Sequence, residues 1–123
     1  MYRRGFTLIE LMVVMAVLAL LVSLVAPRYF GAVSKSEEAA LKQSLYVMRD
    51  AIDKFYSDHE RYPEELRELV SMRYLRAIPV DPYTQRADSW VLVAPQTGIK
   101  GKVFDVRSGA LVRARDGTEV ARW

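Results

Sequence analysis

Between Phe6 and Ala26 the chain carries an apolar stretch of about 21 residues, broken only by Thr7, Glu10 and Ser23. At about 1.5 Å per helical residue it spans roughly 30 Å, the hydrocarbon core of one bilayer. The stretch is read as a membrane segment. The basic pair Arg3-Arg4 precedes it, so the positive-inside rule puts the N-terminus in the cytoplasm and the remainder outside. Glu10 stands near its head, where a charge costs about 2.5–3.5 kcal/mol on insertion scales. Such a charge calls for a partner. A cut after Gly5 would create one, a cationic amine on Phe6, four residues before Glu10. A helix places those two positions on one face.

An ordinary secretory signal would keep its apolar core uninterrupted and end it in a small-x-small cleavage site. Here Glu10 breaks the run, and Leu24-Val25-Ala26-Pro27 stands at its end. Pro27 removes a backbone donor and clashes with the preceding turn, so a kink or local opening of the helix is expected there. Arg28 and Tyr29 suit the outer headgroup region, one as a snorkelling charge and the other as a belt aromatic.

The stretch Arg3-Arg4-Gly5-Phe6-Thr7-Leu8-Ile9-Glu10 resembles the class III signal of type IV pilins and type II secretion pseudopilins: a basic leader, Gly, Phe-Thr-Leu-Ile-Glu, and a long apolar run. The resemblance implies that a prepilin peptidase cuts after Gly5 and methylates the amine of Phe6. It implies that Glu10 pairs with the Phe6 amine of a neighbouring subunit in a helical filament. Pro27 followed by Arg28-Tyr29 also matches, and in assembled filaments of such proteins the helix is commonly unwound at this proline.

The 123 residues suffice for one small domain and an anchor. Much of the 51% hydrophobic content lies in the first segment, which leaves the remainder a thin core. With no cysteine, disulfides, thiolate metal sites and thiol catalysis are excluded. The formal charge of +3 falls to about +1 without Arg3 and Arg4, and acids alternate with bases along the rest. No nucleic-acid partner is expected.

Leu41, Leu45, Met48, Ile52 and Phe55 recur at helical spacing and predict a helix from about Ser36 to Ser57, continuous with the membrane segment through a bend at 27–31. Lys42, Arg49, Asp53 and Lys54 fall on its opposite face and are expected to be wet. The region from Tyr29 to Val33 is the expected place for contacts between subunits. Asp58 to Pro63 is a polar breaker, and Glu64 to Met72 reads as a short helix opened by Pro63, with Leu66, Leu69 and Val70 inward. Trp90 to Val93 and Lys102 to Val106 read as strands, with a third near Thr118 to Ala121. Arg61-Tyr62-Pro63 and Ile78-Pro79-Val80-Asp81-Pro82-Tyr83 resemble the Arg-Tyr-Pro and Leu-Pro-x-Asp-Pro-aromatic segments of G-type major pseudopilins.

The expected fold is therefore α+β and type IV pilin-like: a long N-terminal helix, membrane half plus amphipathic half, packed on a small antiparallel sheet. The expected organisation is a cleaved leader over 1–5, a transmembrane and filament-core helix over 6–28, and a periplasmic domain over 29–123. Processing falls on Gly5 and Phe6, and assembly on Phe6, Glu10 and Pro27.

In G-type pseudopilins the loop after the sheet binds calcium, and Asp105, Asp116 and Glu119 are the candidate ligands here. Arg107, Arg113 and Arg115 among them oppose binding, and the family's longer Gly- and Asp-rich tail is missing. No metal site and no cofactor are expected, calcium being the one ion to test. His59 is the single histidine and is read as a solvated loop residue, with no hydrolytic or zinc arrangement around it. Trp90 is assigned to the core and Trp123 to a seam against the sheet. A DNA-binding strip of Arg107, Arg113, Arg115 and Arg122 is the weaker alternative for those arginines.

The resemblance implies a structural subunit, not an enzyme, in the periplasmic pseudopilus of a type II secretion system. Its partners would be copies of itself, other pseudopilins, the peptidase and the inner-membrane secretion platform. The alternative is a minor pilin of a type IV pilus used in adhesion, motility or DNA uptake.

Overall fold

A computed structural model describes residues 5–123 of the chain. The leader expected over 1–5, with Arg3 and Arg4, lies outside the described residues except for Gly5. The chain divides into two compact units, Met1–Ser34 and Lys35–Trp123. One helix, α1, runs over Leu8–His59 and contributes to both.

In the first unit α1 carries side chains that nothing in the unit covers. Phe6, Leu8 and Ile9 are 86%, 76% and 70% exposed, and Tyr29 and Phe30 are 64% and 67% exposed. The helix is long and apolar enough to cross a membrane. Pro27 lies inside it, and the helical assignment passes through without a break. The expected local opening at Pro27 is therefore absent from the single chain. A proline removes one donor, while the turns on either side keep theirs.

In the second unit α1 buries Leu41, Leu45, Met48, Ala51, Ile52 and Phe55. These positions follow the three-and-four spacing of one helical face. Against them pack Leu66 and Leu69 from a short helix α2, Leu66–Ser71, together with Leu75, Trp90, Val103, Val106 and Val120. Two antiparallel strands, β1 (Val91–Val93) and β2 (Asp105–Arg107), form the sheet. Their register is Val91 with Arg107, Leu92 with Val106 and Val93 with Asp105. A two-stranded ribbon is marginal alone; here Val106 seals it onto the helix, fully buried in the core.

Several expectations are corrected. Helix α2 starts at Leu66, and Pro63 does not open it. Pro63 is instead buried, and its carbonyl accepts the N–H groups of Lys102 and Val103 at 3.1 and 2.9 Å. Those two bonds also take Lys102 and Val103 out of the strand, so β2 begins at Asp105. No third strand forms among the described residues. Arg113 and Glu119 make one isolated bridge, after which Val120–Arg122 closes into a 3-10 turn. Turning the chain there sends Val120 into the core.

Candidate functional site

The head of α1 is built by Thr7 and Glu10. The Thr7 N–H donates to Glu10 Oε2 at 3.1 Å, and the Glu10 N–H donates to Thr7 Oγ1 at 3.2 Å. This reciprocal pair is a capping box, which satisfies two of the donors a helix start leaves without partners. A carboxylate in the first turn also meets the positive end of the helix dipole. The spacing Thr-x-x-Glu is the legible sign of such a box, and reading Glu10 only as a charge in lipid missed it. Gly5 and Phe6 lie just before the helix and are exposed, so the expected processing site sits on open chain. At the other end of the apolar run, Tyr29 and Phe30 pack edge to face at 5.9 Å.

The Arg-Tyr-Pro and Ile78–Tyr83 segments turn out to be fastenings of the second unit. Arg61 Nη2 bonds Glu68 Oε1 at 2.5 Å and lies 4.9 Å from the Phe55 ring centroid. The Arg61 guanidinium holds the Glu68 carboxyl below its ordinary value. Tyr62 stacks on Tyr56 at 4.5 Å and meets Phe104 edge to face at 5.3 Å. Asp81 is fully buried. It accepts the Tyr83 and Thr84 N–H groups at 2.9 and 3.4 Å and the Ser108 hydroxyl, so the buried carboxylate has its acceptors satisfied.

Arg49 does not lie on a wet face. It is half-buried and donates to Asp105 Oδ1 at 2.7 Å, to the Val106 carbonyl at 3.1 Å and to the main-chain oxygen of Trp123 at 2.7 Å. Lys42, Asp53 and Lys54 are exposed as expected. Trp90 is buried and its indole donates to the Pro79 carbonyl at 2.8 Å. Trp123 is partly buried against the core: Lys42 Nζ of α1 lies 4.7 Å over its ring, and its indole donates to Thr118 at 2.9 Å.

The candidate calcium ligands do not come together. Asp105 is taken by Arg49. Asp116 accepts the Thr118 N–H and hydroxyl at 3.0 and 2.6 Å, and these bonds hold its carboxyl below the ordinary value. Glu119 lies between Arg122 and Arg113, at 3.0 and 3.8 Å. Among the described residues no three His, Cys, Asp or Glu side chains are grouped to hold a metal ion. Three arginines of the supposed basic strip, Arg113, Arg115 and Arg122, are each paired with a carboxylate. His59 belongs to the last turn of α1 rather than to a loop. Its ring packs 4.4 Å from Phe55, and the Tyr74 hydroxyl reaches both His59 and Asp58.

Residues 1–26 match the prokaryotic N-terminal methylation motif. The type II secretion system core protein G of Klebsiella pneumoniae is 28% identical to the chain over 98% of this sequence and 94% of its own. The core protein G of Pectobacterium carotovorum subsp. carotovorum is 31% identical over 76% of this sequence and 60% of its own. The type IV major pilin protein PilA of Myxococcus xanthus is 33% identical, over 54% of this sequence and 30% of its own. No solved structure matches the chain significantly.

Proposed function

We propose that the chain is a pseudopilin of the type IV pilin superfamily and a structural subunit of the periplasmic pseudopilus of a type II secretion system, a reading supported by the N-terminal methylation motif and by the similarity to the core G proteins. One observation carries this reading: a membrane-length apolar helix whose large apolar side chains are all exposed through the first unit, with Phe6 and the acid Glu10 at its head. Such a surface is unfavourable in water and has two natural covers, lipid before assembly and neighbouring helices after it.

In this reading a prepilin peptidase cuts after Gly5 and methylates the new amine of Phe6. The helix holds the subunit in the inner membrane, with its N-terminus cytoplasmic and the second unit periplasmic. The amine and the Glu10 carboxylate are each costly to bury alone. A subunit therefore gains by docking where its neighbour's charge meets its own, and the register of the filament follows from that pairing. The work of export comes from the secretion platform and its ATPase; this chain carries no catalytic step.

The test is co-expression of the full chain with a prepilin peptidase, followed by mass spectrometry. The expected product begins at Phe6 and carries one added methyl group, while Gly5→Glu stays as uncut membrane-bound precursor. Normal cleavage of Gly5→Glu contradicts the assignment. The similarity to the Myxococcus xanthus pilin supports a second reading as a pilus subunit. Restoration of piliation, rather than of protein export, in a host lacking its own major subunit would favour it.

A further inference from the structure

The C-terminal stretch of the second unit has little regular structure to hold it, one isolated bridge and one 3-10 turn. Yet Ala110, Ala114 and Val120 are buried, so the stretch is firmly seated. The resemblance to G-type pseudopilins calls for a calcium ion to do the seating. The donors present do not suit one. Calcium requires six to eight oxygens, whereas Asp105, Asp116 and Glu119 are separately engaged by Arg49, by Thr118, and by Arg113 with Arg122.

The seating is done by guanidinium groups. Arg115 donates its backbone N–H to Glu38 Oε1 at 2.7 Å and its Nε to Glu38 Oε2 at 3.2 Å, and the Glu38 side chain is only 13% exposed. Arg49 reaches from about three turns further along α1 to Asp105 in β2 and to the main-chain oxygens of Val106 and Trp123. A guanidinium is a permanent cation with several donors in a rigid plane. It can gather carboxylate and carbonyl oxygens much as a calcium ion does, through hydrogen bonds instead of coordination.

We propose that this chain fastens its C-terminal segment onto α1 with Arg49 and Arg115 in place of calcium, so that its folding is independent of that ion. The comparison with calcium rests on the pseudopilin reading; the clamp itself rests on the contacts above. The two fail separately, since uncut precursor with the peptidase would remove the first and leave the second standing.

The test uses the full chain in detergent micelles, melted with tryptophan fluorescence as the readout, because Trp90 and Trp123 both lie in the second unit. The expected Tm is the same with excess chelator and with millimolar calcium chloride. A rise in Tm with calcium, or heat of calcium binding by calorimetry, overturns the proposal without any substitution being made. Arg115→Gln and Glu38→Gln are each expected to lower Tm by about 4–8 °C. Arg49→Gln is expected to shift Trp123 emission to the red in a Trp90→Phe background. Unchanged melting in the first pair of variants, or unchanged emission in the third, overturns it as well.

Discussion

Arg49 on α1 and Asp105 in β2 are joined by a 2.7 Å ion pair across 56 positions of sequence. The same guanidinium bonds the Val106 carbonyl, so one side chain ties the helix to both the side chain and the backbone of the strand.

Replacing Arg49 by Met would leave Asp105 and two main-chain oxygens without this donor. Hydrogen bonds to charged groups contribute roughly 1.5–3 kcal/mol, and both partners are partly exposed, which screens the pair. A loss of about 2 kcal/mol is expected in urea unfolding followed by tryptophan fluorescence. Arg49→Met combined with Asp105→Asn should cost less than the sum of the two single losses, and strict additivity would contradict direct coupling.

Gly101 has φ +106, and a Cβ there would meet the Tyr62 carbonyl oxygen at 2.2 Å. Tyr62 cannot yield, because its N–H is bonded to the Lys100 carbonyl at 2.9 Å. Gly101→Ala is expected to destabilise by about 3 kcal/mol through the clash and the left-handed backbone together. Gly98 has φ +93 with open space around it, so Gly98→Ala should cost only about 1 kcal/mol. Equal losses in chemical unfolding would contradict the close approach at Gly101.

Glu10 has two roles that substitution can separate. Glu10→Ala removes both cap and charge; it should still insert and be processed, but assemble poorly into filaments. Glu10→Gln keeps a side chain able to close the capping box and removes the charge. If charge pairing sets the register, both variants give low yields in sheared-filament assays. Wild-type yield from Glu10→Gln would assign the role to the cap alone.

The Arg61–Glu68 pair makes stability depend on acid. Arg61 lowers the folded Glu68 pKa from its ordinary 4.5. The unfolded chain therefore binds a proton first as pH falls. The contribution is complete above about pH 4.5 and is lost as pH drops through the lower folded value. Glu68→Gln should flatten the decline of Tm in that acid window and lower Tm at neutral pH. An unaltered acid slope would show that the pair is not the responsible group.

How much was legible followed from how far apart the interacting residues lie. The stripe from Leu41 to Phe55 could be read because a helix writes its buried face at short, regular intervals, and all five positions are buried. Trp90 could be placed in the core by its size and neighbours. The capping box at Thr7 and Glu10 lay open within four residues. Arg49 could not be read, since its spacing puts it beside wet positions and its partners come from β2 and Trp123. The third strand failed for a similar reason: Thr118 to Ala121 has strand-like residues, but burial of Val120 and the turn closed by Arg122 on Glu119 won.

Sequence by itself determined the long apolar helix and the capping box at its head, because apolar periodicity and the Thr7–Glu10 spacing act within a few residues of the chain. Tertiary structure decided the fate of the charges in the second unit. Whether Asp105, Asp116 and Glu119 face a metal or an arginine depends on which distant donors the packing of α1 brings within hydrogen-bond reach.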